Sequence, residues 1–317
     1  MTKQDLRIIY MGTPDFAVGP LKTLVESGFN VVAVVTGMDK PQGRGRKIQP
    51  TPVKEFAVEH NIPVLQPEKL KNPDFLDQLK AYNADLQVVV AFRMLPEVVW
   101  NMPKMGTFNL HAALLPQYRG AAPINWAVIN GEKKTGVTTF MLDKDIDTGK
   151  IMLQQEVAIE DTDTVGTVHD RLMLIGQDLV KETVEKLLEG NMKFIDQDSL
   201  IGKGTQLKHA PKIFKDDCRI NFENDAESIH NLVRGLSPYP AAFTTINVKG
   251  KMMGLKVFET KTEITDNHEV AGTLKTDNKT FAKISCKNGW IYLTDVQLEG
   301  KKRMKIVEFL RGINLEN

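Results

Sequence analysis

The feature that most constrains the fold is a series of short apolar runs that alternate with helical patterns across the first two-thirds of the chain. The runs are almost continuously apolar, which is typical of strands that helices cover on both faces. Strand-like runs occupy residues 6–11, 31–36, 86–92, 107–111 and 137–142. Helical patterns between them occupy residues 16–26, 53–60 and 124–129. This alternation predicts an α/β domain with a mainly parallel, wound sheet.

The last third of the sequence has a different character, which indicates a second domain. The chain has 317 residues, which is long for a single domain. The polar stretch at residues 196–211 has the composition of a linker, and short β-like runs follow it, separated by turns such as Asn288-Gly289. We therefore expect an α/β domain over residues 1–205 and a smaller β-barrel domain over residues 206–317.

The composition excludes several classes of protein. With 42% hydrophobic and 26% charged residues, the chain is neither disordered nor membrane-spanning in character. The first apolar run is too short for a signal peptide, so we expect a cytoplasmic protein. The two cysteines, Cys218 and Cys286, predict neither a disulfide framework nor a metal site. A formal net charge of +1 means that any nucleic-acid binding would depend on local basic patches.

Three polar residues, Asn109, His111 and Asp147, are the candidates for catalysis. Asn109 and His111 are two residues apart in a strand-like run, so both side chains leave the same face of the strand. An asparagine amide and an imidazolium can stabilise an oxyanion, while a carboxylate close to the histidine can take part in proton transfer. Either His111 or Asp147 can be the proton acceptor. We interpret the neighbouring Asp143 and Asp145 as solvated loop charges.

These residues belong to a set of motifs that resembles the formyltransferases that use 10-formyltetrahydrofolate. The family hallmark is Asn-x-His, a Leu-Leu-Pro turn and a distant Asp-Thr-Gly. The corresponding segments here are Asn109-Leu110-His111, Leu114-Leu115-Pro116 and Asp147-Thr148-Gly149. Further segments resemble, in order, the family members that act on initiator methionyl-tRNA: residues 8–17, residues 43–47, residues 119–124, and Arg234 with Pro238-Tyr239-Pro240.

The resemblance implies a catalytic domain with a Rossmann-like sheet, followed by an OB-like barrel that binds tRNA. It implies transfer of a formyl group from 10-formyltetrahydrofolate to the amino group of methionine on initiator methionyl-tRNA, without a metal and without an obligate protein partner. The implied folate contacts are Ala113, Leu114, Leu115 and Pro116. Ala113 departs from the family, which commonly has serine there, and the loop at residues 91–96 is one residue shorter than usual.

Two basic segments are the candidates for contact with tRNA phosphates, although basic clusters of this kind are often only solvated surface. Their residues are Arg44, Arg46 and Lys47 in a glycine-rich loop, and Lys301, Lys302 and Arg303 near the C-terminus. The alternatives are an amino-sugar formyltransferase, a formylfolate hydrolase and a non-catalytic RNA-binding module. The basic loop favours an RNA substrate over a small amine, and the presence of all three candidate catalytic residues disfavours a non-catalytic module.

Overall fold

A computed structural model of the protein describes residues 1–42, 47–266 and 268–316. The strands are β1 (Arg7–Gly12), β2 (Asn30–Val35), β3 (Lys40–Gln42), β4 (Lys47–Gln49), β5 (Val64–Leu65), β6 (Leu86–Val90), β7 (Thr107–His111), β8 (Arg119–Gly120), β9 (Lys134–Met141), β10 (Ile151–Ala158), β11 (His209–Ala210), β12 (Ala242–Val248), β13 (Lys251–Ile264), β14 (Leu274–Thr276), β15 (Ala282–Cys286), β16 (Gly289–Leu298) and β17 (Met304–Lys305). The helices are α1 (Val18–Glu26), α2 (Pro52–Glu59), α3 (Pro73–Ala81), α4 (Glu97–Trp100), α5 (Pro123–Ile129), α6 (Val165–Glu189), α7 (Ala226–Leu236) and α8 (Ile306–Gly312).

The chain divides into two compact units that do not follow a single cut in the sequence. The first unit contains Met1–Gly120, Thr135–Val157 and His169–His209. The second contains Ala121–Lys134, Ala158–Val168 and Ala210–Asn317. Two stretches that come before the predicted boundary at residues 205 and 206 therefore belong to the second unit.

The first unit contains a seven-stranded sheet in the order β10-β9-β7-β6-β1-β2-β5. The pairs β7 with β6, β6 with β1, β1 with β2, and β2 with β5 are parallel, whereas β9 runs antiparallel to β7. The prediction of a mainly parallel sheet is confirmed, with an antiparallel addition on the side of β7. This arrangement brings the carboxyl end of β7 to the edge where wound sheets hold their functional groups.

The strands of this sheet are apolar because helices and loops cover them. Every residue of β6 is buried. Ile9 and Met11 of β1 share a core with Val89 of β6 and with Phe75 and Leu79 of α3. Burial of each such large apolar side chain contributes about 1.5–3 kcal/mol, so the packing of this core stabilises β1 and β6. The parallel pairing with β6 then places β7.

The second unit contains an antiparallel sheet in the order β12-β13-β16-β15-β14, with β17 paired to β16. Register shifts at Val257 and Glu259 interrupt the pairing of the long β13 with β16, and such bulges bend a strand. Ile229 of α7 and Phe309 of α8 belong to the core that buries this sheet. In the described residues no pairing joins β12 to β14, so the predicted small barrel is an open half-barrel.

Two segments differ from the predicted pattern. Residues 40–42 and 47–49 form an antiparallel pair, so the glycine-rich loop has strands at its ends. Within the predicted linker, Gln197–Leu200 form a 3₁₀ helix and the Gln197 side chain is only 3% exposed. Among the helices in the described ranges, none combines the length and the apolar character that crossing a membrane requires.

Candidate active site

β7 holds Asn109 and His111 on one face at its carboxyl end. Asn109 lies opposite Val89 of β6 and Phe140 of β9, so it is near the centre of the sheet. His111 is 6% exposed, and its ring meets the Phe140 ring edge-on with the centroids 6.3 Å apart. The apolar residues Phe108 and Leu110 alternate with them and are buried. The alternation predicted from the sequence therefore places both polar side chains together.

The two nitrogens of the His111 ring face different partners. Nε2 lies 2.8 Å from the Tyr118 carbonyl oxygen, and since a carbonyl only accepts, Nε2 carries a proton and donates it. Nδ1 lies 3.7 Å from Asp147 Oδ2, which is too long for a hydrogen bond but close enough for charge attraction. The Nδ1 edge is therefore the part of the ring that remains available to another molecule.

The Asp147 carboxylate is held by the backbone of the segment that follows β7. Its Oδ2 accepts a hydrogen bond of 2.8 Å from the Gly120 N–H, and its side chain is 15% exposed. Two residues later, a Cβ added at Gly149 would overlap the Met141 carbonyl oxygen of β9. Only glycine fits this close approach of two backbones, so the Asp-Thr-Gly turn is pressed against the sheet that carries His111.

Asp143 and Asp145 have the role that their sequence context predicted. Both are exposed. Asp143 Oδ1 accepts hydrogen bonds from the Thr148 hydroxyl at 2.7 Å and from the Asp145 N–H at 3.2 Å. Asp143 therefore stabilises the loop that leads to Asp147 through these two hydrogen bonds, and the Asp145 side chain is exposed to solvent.

The Asn109 side chain is half-buried and has no hydrogen-bond partner among the described residues. Buried polar groups in proteins are almost always paired, so an unpaired amide beside a buried histidine is a group available to a ligand. Its NH₂ can donate two hydrogen bonds and its oxygen can accept two. This property fits a residue that binds an oxygen of a substrate.

Thr138 of β9 and Gln154 of β10 hold the turn after His111. The Thr138 hydroxyl donates to the Ala113 carbonyl at 2.6 Å and accepts from the Leu115 N–H at 3.2 Å. Gln154 Nε2 donates to the Leu115 carbonyl at 2.8 Å and to the Thr138 hydroxyl at 2.9 Å. The Leu-Leu-Pro turn is thus fixed to β9 and β10 of the seven-stranded sheet.

The four residues predicted to contact a folate differ in exposure. Ala113 has no exposed surface, and Leu115 is 2% exposed within a small core that includes Phe140. Leu114 and Pro116 are half-buried. Leu114 and Pro116 therefore have more surface to offer a ligand, whereas the side chains of Ala113 and Leu115 serve the packing of the turn.

Gln197 is a residue of the site that sequence reasoning missed. Its Nε2 donates to the Asp147 carbonyl at 2.9 Å and to the Gly149 carbonyl at 2.8 Å. Its Oε1 accepts from Arg119 Nε at 3.0 Å and from Arg119 Nη2 at 2.7 Å. No pattern in a single sequence could have found this glutamine, because it lies in a polar stretch with the composition of a linker.

The two predicted basic segments are not uniform. Arg44 and Arg46 lie outside the described residues, and Lys47 is exposed on β4. Lys301 and Lys302 are exposed near the C-terminus.

Arg303, the third residue of the C-terminal segment, is engaged within its own unit. Its Nε and Nη2 donate to the two carboxylate oxygens of Asp295 at 2.9 and 3.1 Å, and its guanidinium lies 4.2 Å from the centre of the Phe258 ring. Burial raises the pKa of Asp295, but hydrogen bonds from Arg303 and Lys305 outweigh it and hold the pKa below its ordinary value of 3.8. Arg303 therefore has a structural role that Lys301 and Lys302 do not share.

The described ranges contain no group of three or more His, Cys, Asp and Glu residues that is arranged to hold a metal ion. What the site offers is a set of hydrogen-bond donors and acceptors: a free amide, an imidazole and a carboxylate on adjoining segments. Such a set can stabilise negative charge on an oxygen and accept a proton from a nitrogen.

Comparison with known proteins agrees with this chemistry. A family model described as formyl transferase matches residues 6–184, and one described as formyl transferase, C-terminal domain, matches residues 212–314. A methionyl-tRNA formyltransferase of Parabacteroides distasonis is 56% identical over 314 residues, covering 98% of this chain and 97% of the relative. A methionyl-tRNA formyltransferase of Bacteroides fragilis is 54% identical over 317 residues, covering 99% and 97%.

A solved structure shows the same fold in a more distant protein. It is an N-formyltransferase from Helicobacter canadensis in complex with folinic acid and dTDP-3-aminofucose. Its TM-score is 0.64 at 17% identity, with 94% of this chain and 100% of that chain covered. From the two family models and the full-length relatives, the chain belongs to the formyltransferase family, in its methionyl-tRNA formyltransferase branch.

Proposed function

We propose that the protein transfers the formyl group of 10-formyltetrahydrofolate to the amino group of methionine on initiator methionyl-tRNA, giving N-formylmethionyl-tRNA for translation initiation. The observation that carries the proposal is the free amide of Asn109 beside a histidine whose Nδ1 edge faces Asp147. Relatives that are 54% and 56% identical over nearly the whole chain are methionyl-tRNA formyltransferases, which supports the same substrates. The role of this product in translation initiation supports a cytoplasmic location.

The residues of the site suit each step of such a transfer. When the methionine amine attacks the formyl carbon, a new C–N bond forms and negative charge develops on the formyl oxygen. Asn109 donates to this oxygen, and His111 donates from Nδ1 as an imidazolium, because its Nε2 proton is already held by the Tyr118 carbonyl. Asp147 accepts the proton that the amine loses. The bond from the formyl carbon to the folate nitrogen then breaks, and that nitrogen takes up this proton as it leaves.

The chain also offers surface for both substrates. The half-buried Leu114 and Pro116 lie three and five residues after His111 and offer apolar surface against which the flat ring face of a folate can pack. We propose that the half-barrel of the second unit is an OB-like domain that contacts tRNA, with Lys301 and Lys302 exposed for phosphate contacts. Arg44 and Arg46 of the glycine-rich loop are proposed to guide the RNA end toward the site.

The direct test is formyl transfer from 10-formyltetrahydrofolate to charged initiator tRNA, compared with free methionine and with an amino-sugar nucleotide. We expect efficient transfer only to the charged tRNA. Asp147→Asn should lose most activity, whereas Asp143→Asn, a matched change of an exposed carboxylate four residues earlier, should stay active. Efficient formylation of the amino-sugar nucleotide in place of the tRNA would overturn the proposal.

The contribution of the basic loop can be tested in the same assay. Replacing Arg44 and Arg46 with glutamine should lower kcat/KM for charged tRNA by more than it weakens the binding of the same tRNA. This excess loss is expected because the loop would act on the placement of the RNA end and not on general phosphate contact. Equal losses in kcat/KM and in affinity would remove the proposed guiding role.

A further inference from the structure

We propose that Gln197 is a positioning residue that holds the Asp147 carboxylate against His111. The inference rests on the proposed role of Asp147 in formyl transfer, and it adds a residue from a different part of the chain to the site. Gln197 lies in the 3₁₀ helix that follows α6, whereas Asp147 lies in the turn between β9 and β10.

The Gln197 amide uses its full hydrogen-bonding capacity on two segments. Its two N–H groups donate to the carbonyls of Asp147 and Gly149, and its oxygen accepts twice from Arg119. A primary amide has two donors and an oxygen with two lone pairs, so no capacity is left over. With 3% exposure the amide is shielded from water, which makes the loss of any of these bonds costly.

The backbone before Gln197 fixes where this amide lies. Ile195 and Ile151 exchange two backbone hydrogen bonds of 2.9 Å each, which attaches the segment to the start of β10. Gln197 follows two residues later. Its side chain therefore reaches the Asp147 turn from a point that is itself tied to the strand leaving that turn.

The Asp147 turn needs such support because its conformation is unfavourable. Asp147 has φ of +56°, in the left-handed region that residues with a Cβ adopt uncommonly, although aspartate does so more readily than most. A backbone of this kind persists only where its surroundings hold it. Gln197 donates to the carbonyls of Asp147 and Gly149 and accepts from the Arg119 side chain. Arg119 directly precedes Gly120, whose N–H donates to the Asp147 carboxylate. Gln197 therefore supports both segments that hold this carboxylate.

Two variants separate the parts of this contact. Gln197→Leu removes all four hydrogen bonds. Gln197→Glu keeps the volume and an acceptor for Arg119, but it cannot donate to the carbonyls of Asp147 and Gly149. We expect both to lower kcat on the order of 10²-fold, the scale of a misplacement near 1 Å, with a smaller change in KM. Wild-type kcat in Gln197→Glu would overturn the proposal.

A double-mutant cycle tests whether Gln197 acts through Asp147. In the Asp147→Asn background, Gln197→Leu should lower the single-turnover rate by much less than it does in the wild type, because the group that it positions is already disabled. A purely structural role would lower the rate by the same factor in both backgrounds, and that result would reject the proposal.

Thr183→Val is the matched control for lost stability. The buried Thr183 hydroxyl in α6 lies 2.8 Å from that of Thr139 and 2.7 Å from the Leu179 carbonyl, so valine also removes buried hydrogen bonds from the first unit. We expect Thr183→Val to lower Tm and to leave kcat unchanged. If its kcat falls as far as that of Gln197→Leu, the loss in Gln197→Leu reflects stability and the positioning role is rejected.

A readout without substrate distinguishes this inference from the proposed function. The Gly120 amide donates to the Asp147 carboxylate, so its hydrogen exchange reports whether the carboxylate is in place. We expect Gln197→Leu to speed exchange at Gly120 and Thr183→Val to leave it slow. Unchanged protection in Gln197→Leu rejects the positioning role, whereas a wild-type protein that fails to formylate charged tRNA rejects the proposed function alone.

Discussion

His111 Nδ1 lies 3.7 Å from Asp147 Oδ2, although His111 ends β7 and Asp147 lies in the turn between β9 and β10. Such a pair is expected to work as one unit. His111→Ala and Asp147→Asn should each lower kcat about 10²–10⁴-fold, the range of general acid–base catalysis. The double variant should lose little more than the worse single one. Losses that multiply would show that the two residues act independently.

Asn109→Ala should separate catalysis from stability. Because the amide has no hydrogen-bond partner among the described residues, its removal should change the free energy of unfolding by no more than about 0.5 kcal/mol. The kcat should fall about 10²–10³-fold, as expected for the loss of one oxyanion donor. Chemical denaturation and steady-state kinetics on the same sample measure both quantities. A strongly destabilised variant would mean that the amide has a structural role.

Gly149→Ala should disrupt the active-site turn. The new Cβ would overlap the Met141 carbonyl oxygen, so the turn must move away from β9 and carry Asp147 with it. We expect a loss of more than about 2 kcal/mol in stability and of nearly all activity. The matched control is Gly312→Ala, where a Cβ meets no atom within 4 Å, and this variant should match the wild type.

The C-terminal lysines and Arg303 should respond differently to neutralisation. Lys301→Gln with Lys302→Gln should leave Tm unchanged and flatten the dependence of tRNA affinity on salt, because each lost phosphate contact changes the log–log slope by about 0.7–0.9. Arg303→Gln should instead lower Tm, since the buried Asp295 carboxylate then loses the guanidinium group that donates to both of its oxygens. Salt titrations of tRNA binding and thermal melts test these outcomes, and an unchanged slope in the double lysine variant contradicts the phosphate contacts.

Asp295 should make the protein sensitive to acid. Its pKa in the folded protein is below the ordinary 3.8, so its contribution is complete at pH values above 3.8 and is lost as the pH falls through the lowered pKa. Asp295→Asn should therefore destabilise the protein at neutral pH and weaken the decline in stability at acid pH. Denaturation curves from pH 7 downward measure both effects. Asp216→Asn, which changes an exposed carboxylate of the same unit, is the control and should leave both unchanged.

Much of the fold could be predicted because burial on both faces leaves a clear mark in the sequence. β7 spans the predicted residues 107–111, and β6 lies within the predicted run at residues 86–92. Asn109 and His111 could be selected as candidates because they stand two residues apart in such a run and form a family motif together with the distant Asp147. In each case one local pattern determines both the element and the face that it presents.

What could not be predicted depends on contacts between distant segments. Gln197 looks like any other polar residue of a linker until the Asp147 and Gly149 carbonyls are placed beside it. Arg303 looks equivalent to its two lysine neighbours until Asp295 is known to face it. Such pairings carry no periodicity, so they appear only once the chain is folded.

The second unit is assembled from stretches that lie far apart in the sequence, and this has a consequence for its folding during translation. α5 lies against α7 so closely that a side chain on Gly235 would collide with Ile129, and Asn125 donates to the Gly235 carbonyl at 2.9 Å. During translation α5 leaves the ribosome long before α7 is synthesised. Ile129 at the end of α5 packs against the core that α7 helps to form, so its apolar side chain stays uncovered until α7 is made. A chain that stops before α7 leaves this side chain open to chaperones and proteases.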